Sequence, residues 1–501
     1  MRTPGEFALA AGGVLALAGG LALVFLLYAA HRTLPAAAML ALVGLGAWVY
    51  TSPNAYPWRY VAPGLVAGLF FIVLPLAYTL AIGFTNYSSA HLLDFDRATE
   101  VLRQRTIGTG ETFAFRLFGS PATPRLVLER DDGARFTSAP ITLGGPQRVA
   151  LQPNTEVDLG EPLPLKEVVA RRDTIAQIVA TLPDGSELRM TSLRNFAEMQ
   201  PEYRLNSDGT MTAVADGAAL TADHDDGWWR RPDGTPVEPG FRSVIGWDNY
   251  HATFTDARFR EPFVRVFVWT VVFAALNTLF TFGIGVVLAV ALNWGQLRYR
   301  NFYRIMLFLP YAVPAFISIP VFRGLFNENL GEINLVLRDL FDISPGWFSD
   351  ATLARSMVLI VNTWLGYPYM MILSMGLIQA IPSELYESSA VAGVGPLTNF
   401  FRITLPLIAR PIMPLLIASF AFNFNNLTLI ALLTNGAPDY LDTKVPVGAT
   451  DLLVSYTYRI AFQDSGQNYA LACAISSIVF LIVATLAIVN LRLFHVGREK
   501  P

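Results

Sequence analysis

Long apolar runs separated by short polar turns dominate the chain. Hydrocarbon about 30 Å thick takes roughly 20 helical residues to cross. Eight stretches approach or exceed that length: Phe7 to Ala30, Leu34 to Thr51, Tyr60 to Phe84, Phe263 to Leu292, Phe302 to Phe322, Met357 to Ile381, Thr404 to Leu433 and Ala470 to Leu493. The pattern predicts an all-α polytopic membrane protein of about eight spans. One large interruption, residues 86 to 260, falls between the third and fourth runs and carries alternating segments instead. Arg125 to Leu128 and Ile175 to Leu182, punctuated by Asp131-Asp132-Gly133 and Pro183-Asp184-Gly185, read as strands and hairpin turns. The expected division is therefore 1–85 as three membrane helices, 86–260 as a β-rich extracytoplasmic domain, and 261–501 as a core of five further helices.

Composition agrees with a lipid solvent. Of 501 residues, 53% are hydrophobic and 15% charged, with a mean hydropathy of +0.42, against about 25% charged residues in soluble chains. The net charge of -3 and the absence of a long basic run give no footprint for nucleic acid. Arg2 followed by an apolar run also describes a signal peptide, but the run is long and no small-x-small site follows it, so a retained helix is expected. Arg298, Arg300 and Arg304 cluster between the fourth and fifth runs. Placing that loop in the cytoplasm by the positive-inside tendency puts both termini there too, although His31-Arg32, Arg323 and Arg338 then lie outside.

Catalytic chemistry is sparsely represented. Five scattered histidines and a single cysteine, Cys473, form no metal or disulfide framework. No GxxxxGK[ST] loop is present, so ATP and Mg would have to be bound by a partner. An enzyme reading would need residues 86–260 to be catalytic, and its nearest candidate acids are Asp223, Asp225 and Asp226 beside Trp228 and Trp229. An acidic surface turn is the simpler account of that cluster.

Two local patterns carry more information. Between the sixth and seventh runs, residues 382–406 read as helix, turn, helix: Ser383 as N-cap with Glu384 and Glu387 near the positive end, a break at Gly393 and Gly395-Pro396, and an end at Leu405-Pro406. Within the seventh run, Ser419, Phe422, Asn423 and Asn426 are spaced i, i+3, i+4, i+7 and share one helical face. Leu365, Gly366 and Tyr369 share a face of the sixth. Polar groups there must turn away from lipid. They suit either hydrogen bonding between helices or a sugar, whose hydroxyls pair with amides and whose C–H faces pack on rings. Pro310, Pro314 and Pro320 in the fifth run, Pro368 in the sixth, and Pro406, Pro411 and Pro414 in the seventh predict kinked or loosened helices.

The 382–406 segment resembles the coupling loop of ABC importer permeases, whose pattern is Glu-Ala-Ala, three residues, Gly, nine residues, Ile-x-Leu-Pro. Glu387, Gly393, Ile403, Leu405 and Pro406 match it without a gap, while Ser388 and Ser389 replace the alanines and Ala392 stands where Asp is frequent. The resemblance extends over nearly the whole chain to the larger permease subunits of maltose/maltodextrin ABC importers, a binding-protein-dependent transport permease family. Leu309-Pro-Tyr-Ala-Val-Pro314, Asn362 to Met371, Ala418 to Asn426 and Leu433 to Gly436 carry it. It implies a sugar site at Leu365, Gly366, Tyr369, Ser419, Phe422, Asn423 and Asn426, and ATPase coupling through Glu387, Ser388, Ser389, Gly393, Ile403, Leu405 and Pro406. It also implies a bacterial inner-membrane location, an ATPase subunit dimer, a second permease subunit, a periplasmic sugar-binding protein and alternating access.

Overall fold

A computed structural model describes residues 4–121, 123–154 and 160–493. Two compact units divide at Ala81. In the first, helices Pro4–Ala29 and Thr33–Thr51 are joined by a turn in which His31 adopts a left-handed φ of 57°. They touch closely enough that a Cβ on Gly20 would stand 2.7 Å from Val43 Cγ2. A third helical course begins at Trp58 and contains a π-turn over Leu69–Val73. The first helix lies partly on residues whose side chains fall outside the described ones.

The second unit opens with the polar segment, which is β-rich. Strands β1 (Thr106–Ser120), β2 (Thr123–Arg130), β3 (Arg135–Ser138), β4 (Gln147–Pro153), β5 (Ile178–Thr181), β6 (Glu187–Met190) and β7 (Asn195–Pro201) form a closed barrel. Neighbours are antiparallel except β4 and β5. Phe115, Leu117, Leu126, Leu128 and Phe196 fill it because alternate residues of a strand point inward. The turns expected at Gly133 and Gly185 are there. Each glycine has positive φ, and Asp132 and Asp184 accept the backbone N–H two residues on. A second sheet of β8 (Tyr203–Leu205), β9 (Met211–Ala213), β10 (Ala219–Asp223), β11 (Trp228–Arg230) and β12 (Pro236–Val237) packs on its own core around Trp229 and Phe241. The chain is thus polytopic with a β domain, and "all-α" is too narrow a description.

Asparagines hold the point where the chain leaves the membrane helices and returns. Asn86 Nδ2 donates to the carbonyls of Asp226 and Phe241, and Asn249 Nδ2 to those of Gly83 and Thr85.

Six helices among the described residues are long and apolar enough to cross a membrane, or seven if one bent pair is a single span; Pro35–Thr51 is a shorter apolar helix. The bent pair, Arg300–Ala312 and Ala315–Leu325, turns by 91° at Val313-Pro314, so the fifth run is two helices. Pro314 is the N-cap of the second helix, where its extended backbone starts the helix and no N–H donor is needed. The seventh run also divides: Leu405–Phe424 ends at Asn425, and Leu427–Leu433 restarts beyond Asn426. No proline sits at that break. Pro406 instead follows a π-turn over Phe400–Thr404, whose wider register accommodates the missing N–H. Pro368 stays inside an unbroken helix, Ala351–Gln379.

Helices Ala257–Asn293 and Ala351–Gln379 form the centre of the bundle. A Cβ on Gly285 would meet the Met371 nitrogen at 2.8 Å, so the missing side chain sets their approach. At the end of the bundle beyond Leu433, Arg355 stacks on Trp269 and donates to the Ala449 carbonyl and the Tyr440 hydroxyl. Nearby, buried Arg459 pairs with Asp451 and Asp439. These contacts fix the loop that carries Leu441, whose side chain is fully exposed.

Candidate functional site

A cavity of about 630 Å³ lies where the bent pair, Ala351–Gln379 and Leu405–Phe424 meet. All seven residues expected at the sugar site line it: Leu365, Gly366, Tyr369, Ser419, Phe422, Asn423 and Asn426. None of its lining residues is charged. A cargo held there receives hydrogen bonds and apolar contact without a compensating ion, which excludes recognition of a charged group by ion pairing.

Three amides form a chain along one wall. Asn362 Nδ2 donates to Asn423 Oδ1 at 2.7 Å, and Asn426 Nδ2 donates to Asn362 Oδ1 at 3.1 Å. Asn423 Nδ2 donates to the Ser419 carbonyl at 3.0 Å. Asn426 Oδ1 accepts the Leu429 N–H and so caps the helix that restarts after the break. The shared face inferred from spacing ends at Asn425, and Asn426 reaches the cavity as this cap. Hydrogen bonding between helices is therefore one use of these amides.

Rings line the cavity beside these amides. Tyr311 and Tyr369 lie nearly parallel, with centroids 6.4 Å apart and planes 20° apart. Their hydroxyls bond no other described residue. Phe422 is 72% exposed. Gly366 has two neighbours to satisfy: it lines the cavity, and a Cβ on it would come within 2.8 Å of Thr281 Cγ2 on the adjacent helix.

Tyr311, Asn362 and Thr281 were not among the expected site residues. Asn362 carried the signal that singled out Asn423, because 362, 365, 366 and 369 also follow i, i+3, i+4, i+7. Tyr311 stands beside Pro310 in a run expected to bend. Thr281 gave no signal in its own apolar run, since only contact with Gly366 reveals it.

The 382–406 hairpin folds with two corrections. Helix Ser383–Val391 takes Pro382 as its N-cap with no side-chain bond, so Ser383 is the first helical residue and caps nothing. Proline before the helix presets the extended backbone there. Gly393, at φ 72°, turns the chain into Pro396–Asn399. Tyr386 and Thr404 hydroxyls bond at 2.9 Å and close the hairpin. Leu405 and Pro406 do not end the second arm, which continues into Leu405–Phe424. Glu387, Ser388, Gly393 and Pro406 are exposed, Ile403 and Leu405 are half-buried, and Ser389 is buried with its hydroxyl on the Tyr386 carbonyl. Val391 and Leu397 form an apolar rim, 92% and 76% exposed.

The acids of the enzyme reading are committed elsewhere. Asp223 and Asp226 both pair with Arg230, and Trp229 is buried in the small sheet's core. The Asp225 N–H and Arg230 hold the Asp223 carboxyl below its ordinary range, opposite to the raised value of a general acid.

An apolar bundle, a broken helix pair beside an uncharged cavity and an end-facing hairpin define a membrane permease. Residues 264–493 match the model of the binding-protein-dependent transport system inner membrane component, and residues 93–246 match that of the maltose transport system permease protein MalF P2 domain. The maltose/maltodextrin transport system permease protein MalF of Yersinia pestis is 48% identical over 94% of this chain and 91% of its own length. That of Escherichia coli strain K12 is 47% identical over 94% and 93%. A chain of a bacterial alginate ABC transporter, solved with an alginate pentasaccharide-bound periplasmic protein, aligns with 22% identity and a TM-score of 0.42 over 50% of this chain and 82% of its own. The chain belongs to the MalF family of maltose/maltodextrin transport permeases, transport subunits of binding-protein-dependent importers.

Proposed function

We propose that the chain forms one half of a pathway that carries maltose and short maltodextrins across the bacterial inner membrane. The observation that carries this reading is the uncharged cavity lined by both the amides of Asn362, Asn423 and Asn426 and the Tyr311, Tyr369 and Phe422 rings. A glucan offers hydroxyl edges to the first set and C–H faces to the second. Leu365, Gly366 and Ser419 complete the wall.

In this reading the chain crosses the bilayer eight times, with both termini and residues 382–406 in the cytoplasm, and divides as 1–85, 86–260 and 261–501. Glu387, Ser388, Gly393 and the apolar rim meet one copy of an ATPase dimer, on which ATP and Mg are bound. Ser389, Ile403, Leu405 and Pro406 shape the hairpin that transmits its closure. A second permease subunit supplies the other half of the pathway. A periplasmic sugar-binding protein delivers cargo, with residues 86–260 helping to hold it, and alternating access moves the site from one side to the other.

Reconstitution with these partners and labelled maltose provides the test. Asn423→Ala removes the acceptor of Asn362 and a cavity amide. A buried hydrogen bond lost at about 1–3 kcal/mol predicts roughly five- to hundredfold lower uptake, with binding-protein-stimulated ATP hydrolysis retained. Unchanged uptake would refute the site, and a wild type that carries no glucan would refute the cargo.

A further inference from the structure

Between helices Ala257–Asn293 and Arg300–Ala312 lies a short basic turn that the transport pathway does not use. Gln379, at the end of the helix leading to the 382–406 hairpin, donates to Asn293 Oδ1 at 2.9 Å, so turn and hairpin share one end of the bundle. Trp294, Tyr299 and Tyr303 are 61%, 66% and 44% exposed. Exposed amphipathic rings at the end of membrane helices mark the depth of the headgroups.

Arg298, Arg300 and Arg304 stand among these rings, the last two one helical turn apart on one face. None forms an ion pair or a hydrogen bond among the described residues; Arg298 stacks on Tyr299. No Asp or Glu occurs from residue 262 to 327, and neither Glu384 nor Glu387 on the neighbouring hairpin bonds an arginine. Two N–H donors here are buried without a partner: Arg304 Nε and Asn293 Nδ2. Burying a donor unmatched is costly unless something else meets it. The first turn of Arg300–Ala312 also lacks a side-chain cap.

We infer that this turn binds the phosphate of an anionic phospholipid in the leaflet on the hairpin side. The exposed guanidinium groups of Arg298 and Arg300, with that of Arg304 beside them, address the headgroup while the exposed rings lie along the acyl chain. A membrane source is favoured over a soluble phosphate because rings at headgroup depth flank the cations on both sides.

Native mass spectrometry of the full complex, delipidated in detergent and titrated with phosphatidylglycerol or phosphatidylcholine of matched chains, tests this. The wild type should prefer phosphatidylglycerol by about tenfold or more, and the Arg298→Gln/Arg300→Gln/Arg304→Gln variant should lose most of that preference. The corresponding triple lysine variant should keep it in part, since charge remains while bidentate geometry is lost. Melting temperatures in lipid-free detergent check that the variants fold; the exposed Arg298→Gln alone should still weaken the preference. Equal binding of both lipids, or a glutamine variant that retains the preference, overturns the inference. Inorganic phosphate that competes at concentrations comparable to the lipid overturns the lipid assignment. Loss of the ATPase subunits from the glutamine variant with unchanged lipid preference would assign the arginines to a protein contact and overturn it equally.

Discussion

Individual side chains here answer to two neighbours at once, and Gly366 is the clearest case. Its Cα lines the cavity while its missing Cβ leaves room for Thr281, which a methyl would approach to 2.8 Å. Gly366→Ala is expected to destabilise the permease by about 1–3 kcal/mol through overpacking. Adding Thr281→Ala should restore most of it. Thermal melting of the single and double variants checks this; a double variant as unstable as the single would show that the clash is not with Thr281. At the far end of the bent pair, Glu328 accepts the Phe348 and Ser349 N–H groups and the Ser349 hydroxyl. These bonds, that to Phe348 first, hold its carboxyl below the ordinary 4.5. A depressed carboxylate contributes its stability above the unfolded value and loses it as pH falls through the lower folded one. Amide exchange at Phe348 and Ser349, corrected for intrinsic rate, should therefore accelerate as pH falls below 4.5, and Glu328→Gln should flatten that dependence.

At the scale of elements, breaks matter more than helices. Gly393 sits at φ 72°, a conformation that costs an L-residue roughly 1–2 kcal/mol. Gly393→Ala should shift the angle between the hairpin arms and reduce recovery of the ATPase subunits in co-purification, leaving the rest of the bundle's melting near wild type. Full recovery of the ATPase would argue against this hairpin as the docking element. The hairpin's turn was legible because Gly393 and Gly395-Pro396 are local punctuation. Its cap was not, because proline and serine both suit a helix start and only the backbone decides between them. The split at Asn425 was equally hidden. An asparagine in an apolar run reads as a polar stripe, and nothing local says that its side chain will cap a new helix. Hairpins such as β2–β3 and β5–β6 could be read from Asp-Gly turns, whereas barrel closure by β1 and β7 depends on pairing across some 80 to 95 residues of chain.

Taken whole, the molecule is legible where apolar length decides and obscure where packing does. Runs of sufficient length survive as helical segments, yet the fifth turns by 91°, a bend that its prolines announce and whose size they do not set. The cavity lining was readable through two spacing patterns; of the members not expected, Tyr311 comes from the bent pair, Asn362 from the same face as Gly366 and Thr281 from the adjacent helix. The proposed topology can be tested by labelling read on this chain, because Cys473 is its one native thiol. In a Cys473→Ser background, Leu441→Cys should react with an impermeant maleimide from outside the cell and Val391→Cys only after permeabilisation, both positions being highly exposed. Labelling of both from the same side would break the orientation.

The amide chain of Asn362, Asn423 and Asn426 has a consequence for leakage. Each of these groups already has a partner inside the protein, so a carrier between cargoes need not recruit a file of water or a stray cation to satisfy them. In the proposed reading, a sugar would enter by exchanging one set of hydrogen bonds for another of similar kind. Such a site is suited to weak, reversible grip and to keeping the proton gradient intact while it turns over.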